Sequence, residues 1–413
     1  MPVPIATSCP ESDQMLKTND FWSIYEAYFN SSENFLTEHQ IESFNYFIKN
    51  LIPTIVKQYN PIIIGDDFQS EINDFSKIIQ IEFGNTYITR PIIHENNGMK
   101  SQLIPYSARV RNFSYFSSLA VDINISITWM FGNGFSCVEK KTKQLSKVSL
   151  GKIPTMLFSQ ACLFKSRPNM LPEDFGECKH ENGGYFIVNG SEKVVVAQER
   201  QAENRWYTFT IIPNKLYTLE LKTVNKSGFL PAKPYSLRYT EKGVVLVWSL
   251  FKSELPVCIL FKAMGLISDK SYCSIIFQPH EKEIAALFEK SVLSMQHIQT
   301  QKEAIEYLIK NYTISGFPKE MVISQEKKEE IIHKLLTEEL FSHLSDNFNN
   351  KTVYLAFLTR KLLVFIIDKD ENTDRDSYKD KRVDTVGYLL GTLFRQHFTK
   401  MIKDLRNGII KEI

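Results

Sequence analysis

The chain has 413 residues and 47.9 kDa, room for two or three domains at about 100–200 residues each. Hydrophobic residues make up 43% and charged residues 23%, an ordinary globular mix that excludes a disordered tail, a collagen-like repeat or a coiled-coil rod. Lys+Arg 49 against Asp+Glu 47 leaves a net charge of +2, which argues against a globally basic nucleic-acid coat and confines any nucleic-acid contact to local patches.

The predicted elements begin with helices. Phe21, Trp22, Tyr25, Tyr28 and Phe29 recur at three- and four-residue spacing, one helical face whose aromatics are expected to pack into a core. A second helix is expected from about Thr37, with Ile41, Phe44, Phe47, Ile48 and Leu51 as its stripe and Pro53 weakening the pattern. From Ile78 to Trp129 the period moves toward two. Ile79, Ile81 and Phe83 alternate with Gln80 and Glu82, and Val121, Ile123, Ile125, Ile127 and Trp129 alternate with mostly polar residues. That is the pattern of strands with one buried face. Gly132-Asn133-Gly134 supplies a turn, and residues 135–141 are expected to return as the hairpin partner. Residues 139–152 carry Lys140, Lys141, Lys143, Lys147 and Lys152, and are expected to be a solvated loop in preference to a phosphate contact.

Residues 201–280 read as strands and loops, with Val244-Val245-Leu246-Val247-Trp248 the most β-branched run and a helix ending at Gly265. From Lys282 onward helical patterns dominate. Ile331, Ile332, Leu335, Leu336 and Leu340 form one stripe, and Val353, Leu355, Ala356, Leu358, Leu362, Leu363 and Phe365 mark a largely buried helix. A charged loop, 368–382, separates it from a last helix expected over 385–402.

The chemistry-bearing motifs are mostly negative. There is no G-x-x-x-x-G-K-[ST], which counts against a self-contained nucleotide-binding enzyme, and no HExxH or G-x-S-x-G. The cysteines, Cys9, Cys137, Cys162, Cys178, Cys258 and Cys273, form no CxxC, and their scatter fits a reducing compartment. Cys178-Lys179-His180 lacks the further ligands of a zinc site. Residues 368–379 place Asp368, Asp370, Asn372, Asp374 and Asp376 at alternating positions, as in a calcium loop. Thr373 stands where that loop needs glycine and Lys379 where it needs a closing glutamate, so an acidic loop is expected instead. The first ten residues lack the pattern of a secretory leader, and the apolar runs at 244–251 and 362–367 fall short of the ~18–20 residues of a membrane span. A soluble intracellular protein is expected.

The most informative stretch is residues 176–200. Gly183-Gly184 is a turn, Tyr185 to Val188 a short strand, Asn189-Gly190 a hairpin signal, and Glu192 to Gln198 the expected return strand. Ser191, Glu192 and Lys193 fall close to the hairpin tip. A lysine there is either a solvated charge or a donor to a backbone phosphate.

This stretch resembles the second-largest subunit of cellular-type multisubunit RNA polymerases. Gly151-Lys152-Ile153-Pro154-Thr155-Met156-Leu157 is similar to the family's "G-x-[IVL]-P-[IV]-M-L". The order then continues through Glu177-Cys178 and the run from Gly183 to Val194 to Ala197-Gln198-Glu199-Arg200. Phe83-Gly84 with Tyr87-Ile88-Thr89-Arg90-Pro91, Ala108-Arg109-Val110-Arg111-Asn112-Phe113-Ser114-Tyr115, the run 255–265, and Asp374-Arg375-Asp376 with Lys381-Arg382 resemble further blocks. The last departs from the family pattern at Thr373, Ser377 and Lys379.

The resemblance implies an α+β fold: a mixed helical and antiparallel β "protrusion" domain over 1–200, an inserted α+β "lobe" over 201–382, and a return to the protrusion over 383–413. It implies an N-terminal piece of a longer subunit (a split subunit, an exon or a truncated gene), forming one jaw beside the cleft for DNA and the RNA–DNA hybrid. The implied partners are the largest polymerase subunit, the rest of the second-largest subunit, the DNA template and the hybrid. No catalytic residue, metal or cofactor is expected in this chain; the catalytic Mg belongs to the largest subunit, and Zn is expected elsewhere in the complete enzyme. Lys193 is the first candidate for contact with nucleic acid, followed by Arg200, Lys381 and Arg382, which equally well pair with acids such as Glu199 or Asp384. Arg109 and Arg111 are expected to lie on a strand and brace the fold internally. The competing reading is an inert fragment or assembly scaffold with no transcription role of its own. The richness in Ile, Asn, Lys and Phe suggests A/T-rich coding DNA, which points to a viral or plasmid-borne enzyme, with a nuclear one as the alternative.

Overall fold

The computed structural model describes residues 18–30, 35–65, 75–131, 137–167, 171–211, 216–225, 229–241, 243–312, 325–368 and 373–412. The chain forms two compact units, the first built from residues 1–198 and 384–413, the second from 199–383.

In the first unit, helix α1 (Thr18–Phe29) precedes α2 (Phe35–Tyr46), a π-helical turn over Phe47–Leu51, and α3 (Ile52–Lys57). The predicted stripe packs inward: Phe44, Phe47 and Leu51 are buried, and Ile41 and Ile48 half-buried. Strands β1 (Ile62–Gly65), β2 (Phe75–Ile88), β5 (Phe116–Phe131) and β6 (Cys137–Pro154) form an antiparallel sheet in the order β1-β2-β5-β6. The register places Ile64, Ile79 and Ile127 opposite one another, and likewise Ile62, Ile81 and Ile125. The period-two apolar residues therefore share one face, as alternation requires. Between β2 and β5 lie the short pair β3 (Ile92–His94) and β4 (Lys100–Gln102) and helix α4 (Pro105–Val110). After β6 come α5 (Leu163–Ser166) and the hairpin β7 (Phe186–Val188) with β8 (Ser191–Lys193). Leu103, Ala108, Tyr115, Leu157, Leu163 and Ile187 make a small core beneath that hairpin. The long closing helix α12 (Val386–Glu412) packs on α2, where Gly387 meets the backbone of Ser43.

The second unit holds a five-stranded antiparallel meander: β10 (Trp206–Ile211), β11 (Leu216–Thr223), β12 (Lys233–Thr240), β13 (Gly243–Trp248) and β14 (Leu255–Pro256). Helices α6 (Val257–Ala263), α7 (Asp269–Ile276), α8 (Lys282–Leu293), α9 (Gln301–Asn311), α10 (Gln325–Lys334) and α11 (Phe348–Asp368) complete it. One continuous core joins Leu219, Leu237 and Leu246 of the sheet to Ile259, Phe288, Leu355 and Leu362 of the helices. Two buried lysines serve this core. Lys262 donates to the carbonyl of Ile298 at 2.7 Å, and Lys351 to those of Leu336 at 3.0 Å and Leu340 at 2.7 Å. Lys351 covers carbonyls left open where the helical segment Leu335–Glu339 ends, and Lys262 a carbonyl of the loop between α8 and α9. The strands β9 (Gln198–Gln201) and β15 (Lys381–Asp384) pair where the chain enters and leaves this unit.

Several expectations are corrected. The α1 aromatics are not core: Trp22 is 65% exposed and Tyr28 61%. They touch one another and Phe35, so the periodicity marked an amphipathic helix without saying what covers it. Residues 139–152 are strand, not loop: Lys140, Lys141, Lys143 and Lys152 themselves pair with Thr128, Ile127, Ile125 and Ser118 of β5. The hairpin return stops at Lys193, and Gln198 starts β9 instead. Arg109 sits on helix α4, Val353 is exposed, and the last helix runs to Glu412. Gly132-Asn133-Gly134, Asp370 and Asn372 lie outside the described residues.

Candidate nucleic-acid interface

The β7–β8 hairpin turns at Asn189 and Gly190, whose φ angles of 50° and 75° put both central residues in the left-handed region. This is the geometry that matches strand twist in a two-residue turn and the reason for an Asn-Gly pair. The turn is anchored, not free. Gly190 N–H donates to the carbonyl of Phe113 at 3.0 Å, and Ser114 Oγ donates to Asn189 Oδ1 at 2.9 Å. A side chain at residue 190 would lie 2.5 Å from Asn112 Oδ1.

Beneath β8, the Arg109 guanidinium makes one hub. Nη1 donates to Glu177 Oε1 and Oε2 at 2.6 and 2.8 Å, Nε to Glu192 Oε1 at 2.7 Å, and Nη2 to the Tyr185 hydroxyl at 2.6 Å. Burial opposes its charge, but the hydrogen bonds and the charge of Glu177 outweigh burial and raise its pKa. Three sequence blocks that carry the family resemblance, around residues 109, 177 and 185–193, thus meet at one ion-pair network. Arg111 does similar work nearby, bonding Glu95 at 2.7 Å and holding that carboxyl below its ordinary value.

Glu192 is tied down, so the next residue along β8 is presented on a fixed strand. Lys193 is exposed and makes no hydrogen bond or ion pair among the described residues. The other candidates differ. Arg200 is half-buried and pairs with Glu203 at 3.1 Å. Lys381 reaches Asp376 at 3.2 Å and Glu199 at 3.4 Å, and the Asp376 carboxylate, helped by Glu199 against a small desolvation, raises its pKa. Arg382 is exposed but donates to the carbonyls of Lys379 and Lys381 at 3.2 and 2.7 Å. Arg200, Lys381 and Arg382 come together on the β9–β15 pair of the second unit; Lys193 belongs to the first. A paired cation must give up its acid before binding phosphate, so Lys193 is the candidate with the least to lose.

Sequence reasoning missed the Arg109 hub as a single structure, because residues 68 and 83 positions apart meet there. It also passed over the lysines of β6 as a loop. The described residues contain no group of three or more His, Cys, Asp or Glu placed to hold a metal. A groove of about 450 Å³ between α12 and β6 is lined mainly by apolar side chains such as Leu390, Phe394 and Ile153, with Lys152 and His397 its polar members. Among the described residues, no helix is long and apolar enough to cross a membrane.

A family model described as RNA polymerase beta subunit matches residues 35–413. The chain is 31% identical over 97% of its length to DNA-directed RNA polymerase II subunit 2 of Arabidopsis thaliana, and 28% identical over 95% to the RPB2 subunit of Schizosaccharomyces pombe RNA polymerase II. It spans about a third of those two relatives, 35% and 34%. It is also 28% identical over 93% of its length to DNA-directed RNA polymerase subunit Rpo2N of Methanococcus vannielii, of which it covers 72%. All three come from cellular organisms, and the viral source suggested by the composition finds no support in them. The chain belongs to the RNA polymerase beta subunit family and corresponds to the N-terminal portion of the second-largest subunit.

Proposed function

We propose that this chain is one jaw of a DNA-directed RNA polymerase, the first unit serving as protrusion and the second as lobe beside the path of the DNA and the RNA–DNA hybrid. In this reading it assembles with the remainder of the second-largest subunit and with the largest subunit, which holds the catalytic Mg. The chain itself guides nucleic acid and makes no phosphodiester bond.

The observation that carries the reading is Lys193. It is an exposed ammonium, unpaired among the described residues, on a strand immobilised by the Arg109–Glu192 bond and by an anchored turn, within the longest block of family resemblance. A phosphate contact from such a position fixes register without reading sequence, as transcription of any template requires. Arg200, Lys381 and Arg382 are secondary contacts, available after exchange of their present partners.

The test is Lys193→Glu in the assembled polymerase, with Lys193→Arg as control. The Glu variant should retain a DNA–RNA scaffold less well and lower the slope of log affinity against log salt by about 1, while the Arg variant keeps both. An unchanged slope would return Lys193 to a solvated charge.

A further inference from the structure

The lysines of β6 were left without a role by the reading above. Lys140, Lys141, Lys143, Lys147 and Lys152 are all exposed on this strand. None forms an ion pair among the described residues, and Glu139 is the single acid in the strand. β6 ends its sheet, so among the described residues its outer backbone groups face no further strand.

The side chains are not loose. Lys141 lies 5.3 Å from the Trp129 ring, Lys147 5.6 Å from Tyr87 and Lys152 4.3 Å from Phe116. The backbone N–H of Lys147 donates to Asp122 Oδ1 at 2.9 Å in a bulge that redirects the strand. That carboxylate also accepts from the Tyr87 hydroxyl at 2.8 Å, so it is engaged with its own neighbours. Aromatic faces hold three ammonium groups extended at little cost in rotamer entropy. From Lys140 to Lys152 the strand covers roughly 40 Å at ~3.3 Å per residue. That is about one turn of B-form duplex, ~34–36 Å.

We infer that the β6 edge is a second nucleic-acid surface, taking the phosphate backbone of duplex DNA without sequence preference. The alternative role for edge lysines is to prevent strands of other chains from pairing there. Edge protection needs a charge or two anywhere along the edge. It does not account for five cations in one strand without an ion pair among the described residues, three of them seated on aromatic rings.

The experiment uses the full chain and two probes, a fluorescein-labelled duplex DNA and a single-stranded RNA of the same length, followed by anisotropy across a salt series. The Lys140→Gln/Lys141→Gln/Lys143→Gln variant should bind at least about tenfold more weakly at ~0.1 M salt, with the salt slope reduced by about 2–3. The corresponding triple Lys→Arg variant should bind as the wild type does. Loss with the single-stranded RNA alone would overturn the inference, because the edge is argued to take duplex. Unchanged affinity for both probes, whether or not the Gln variant self-associates, would overturn the inference and leave edge protection as the role. Should the triple variant aggregate, Lys147→Gln/Lys152→Gln tests the far end of the strand, with an expected slope loss of about 1–2. Lys193→Glu alters neither of these variants' losses, so failure here and failure of the proposed function are separable.

Discussion

Replacing Gly387 by alanine tests how the returning helix closes the first unit. Gly387 is the second residue of α12, and a Cβ built on it falls 2.0 Å from the carbonyl oxygen and 2.6 Å from the carbonyl carbon of Ser43. Both are backbone atoms of α2 and cannot swing aside, so the two helices must separate by more than an ångström. Overpacking of this kind costs about 1–3 kcal/mol. Alanine gains back at most about 1 kcal/mol of helix propensity, and less so close to a helix end. Gly408 is the internal control, on the same helix with nothing within 4 Å of its added Cβ. Gly408→Ala should stabilise by a few tenths to about 1 kcal/mol. Urea unfolding followed by circular dichroism should show Gly387→Ala lowering the midpoint of the first unit's transition and Gly408→Ala raising it slightly, at unchanged m. If Gly387→Ala is as stabilising as Gly408→Ala, the docking of α12 on α2 is wrong.

Arg109→Met should destabilise the first unit by about 2–4 kcal/mol, because Glu177 stays buried without its partner; urea midpoints check this, and a loss under ~0.5 kcal/mol would show the hub to be incidental. In the second unit, His343 is held below its ordinary 6.5 by burial and then by the charge of Lys351, and its Nδ1 has no hydrogen-bond partner among the described residues. The folded state therefore takes up this proton less readily than the unfolded chain does. Its penalty is absent above 6.5 and grows as pH falls below it, until the lowered folded-state pKa is passed. His343→Gln should flatten that stretch of the stability–pH curve, and an unaltered slope would contradict the assignment.

Much of the fold was legible where one period governed a long segment. The β2 and β5 alternation became one face of the first sheet, buried at Ile79, Ile81, Phe83 and Val121 and half-buried from Ile123 to Trp129, and the stripes at 41–51 and 331–340 turned largely inward on their helices. The Asn189-Gly190 turn was readable because only a few residue types tolerate two successive positive φ angles. What failed had no local signature. The exposure of Trp22 depends on what covers α1, which the periodicity does not encode. The β6 strand was masked by lysines, which suit an edge but look like a loop when neighbours are unknown. In the candidate site, Lys193 stood out through resemblance, while the Arg109 hub beneath it needed the folded chain to bring Glu177, Tyr185 and Glu192 to one guanidinium.

The proposed guiding jaw serves transcription only within an assembly. The direct measurement is RNA synthesis on a primed template with Mg, using the purified chain alone and then the chain combined with the remaining portion of a second-largest subunit and a largest subunit from the same source. The account predicts no synthesis from the chain alone and synthesis from the assembly that disappears when the chain is left out. Synthesis by the chain alone, or an assembly equally active without it, would contradict the account.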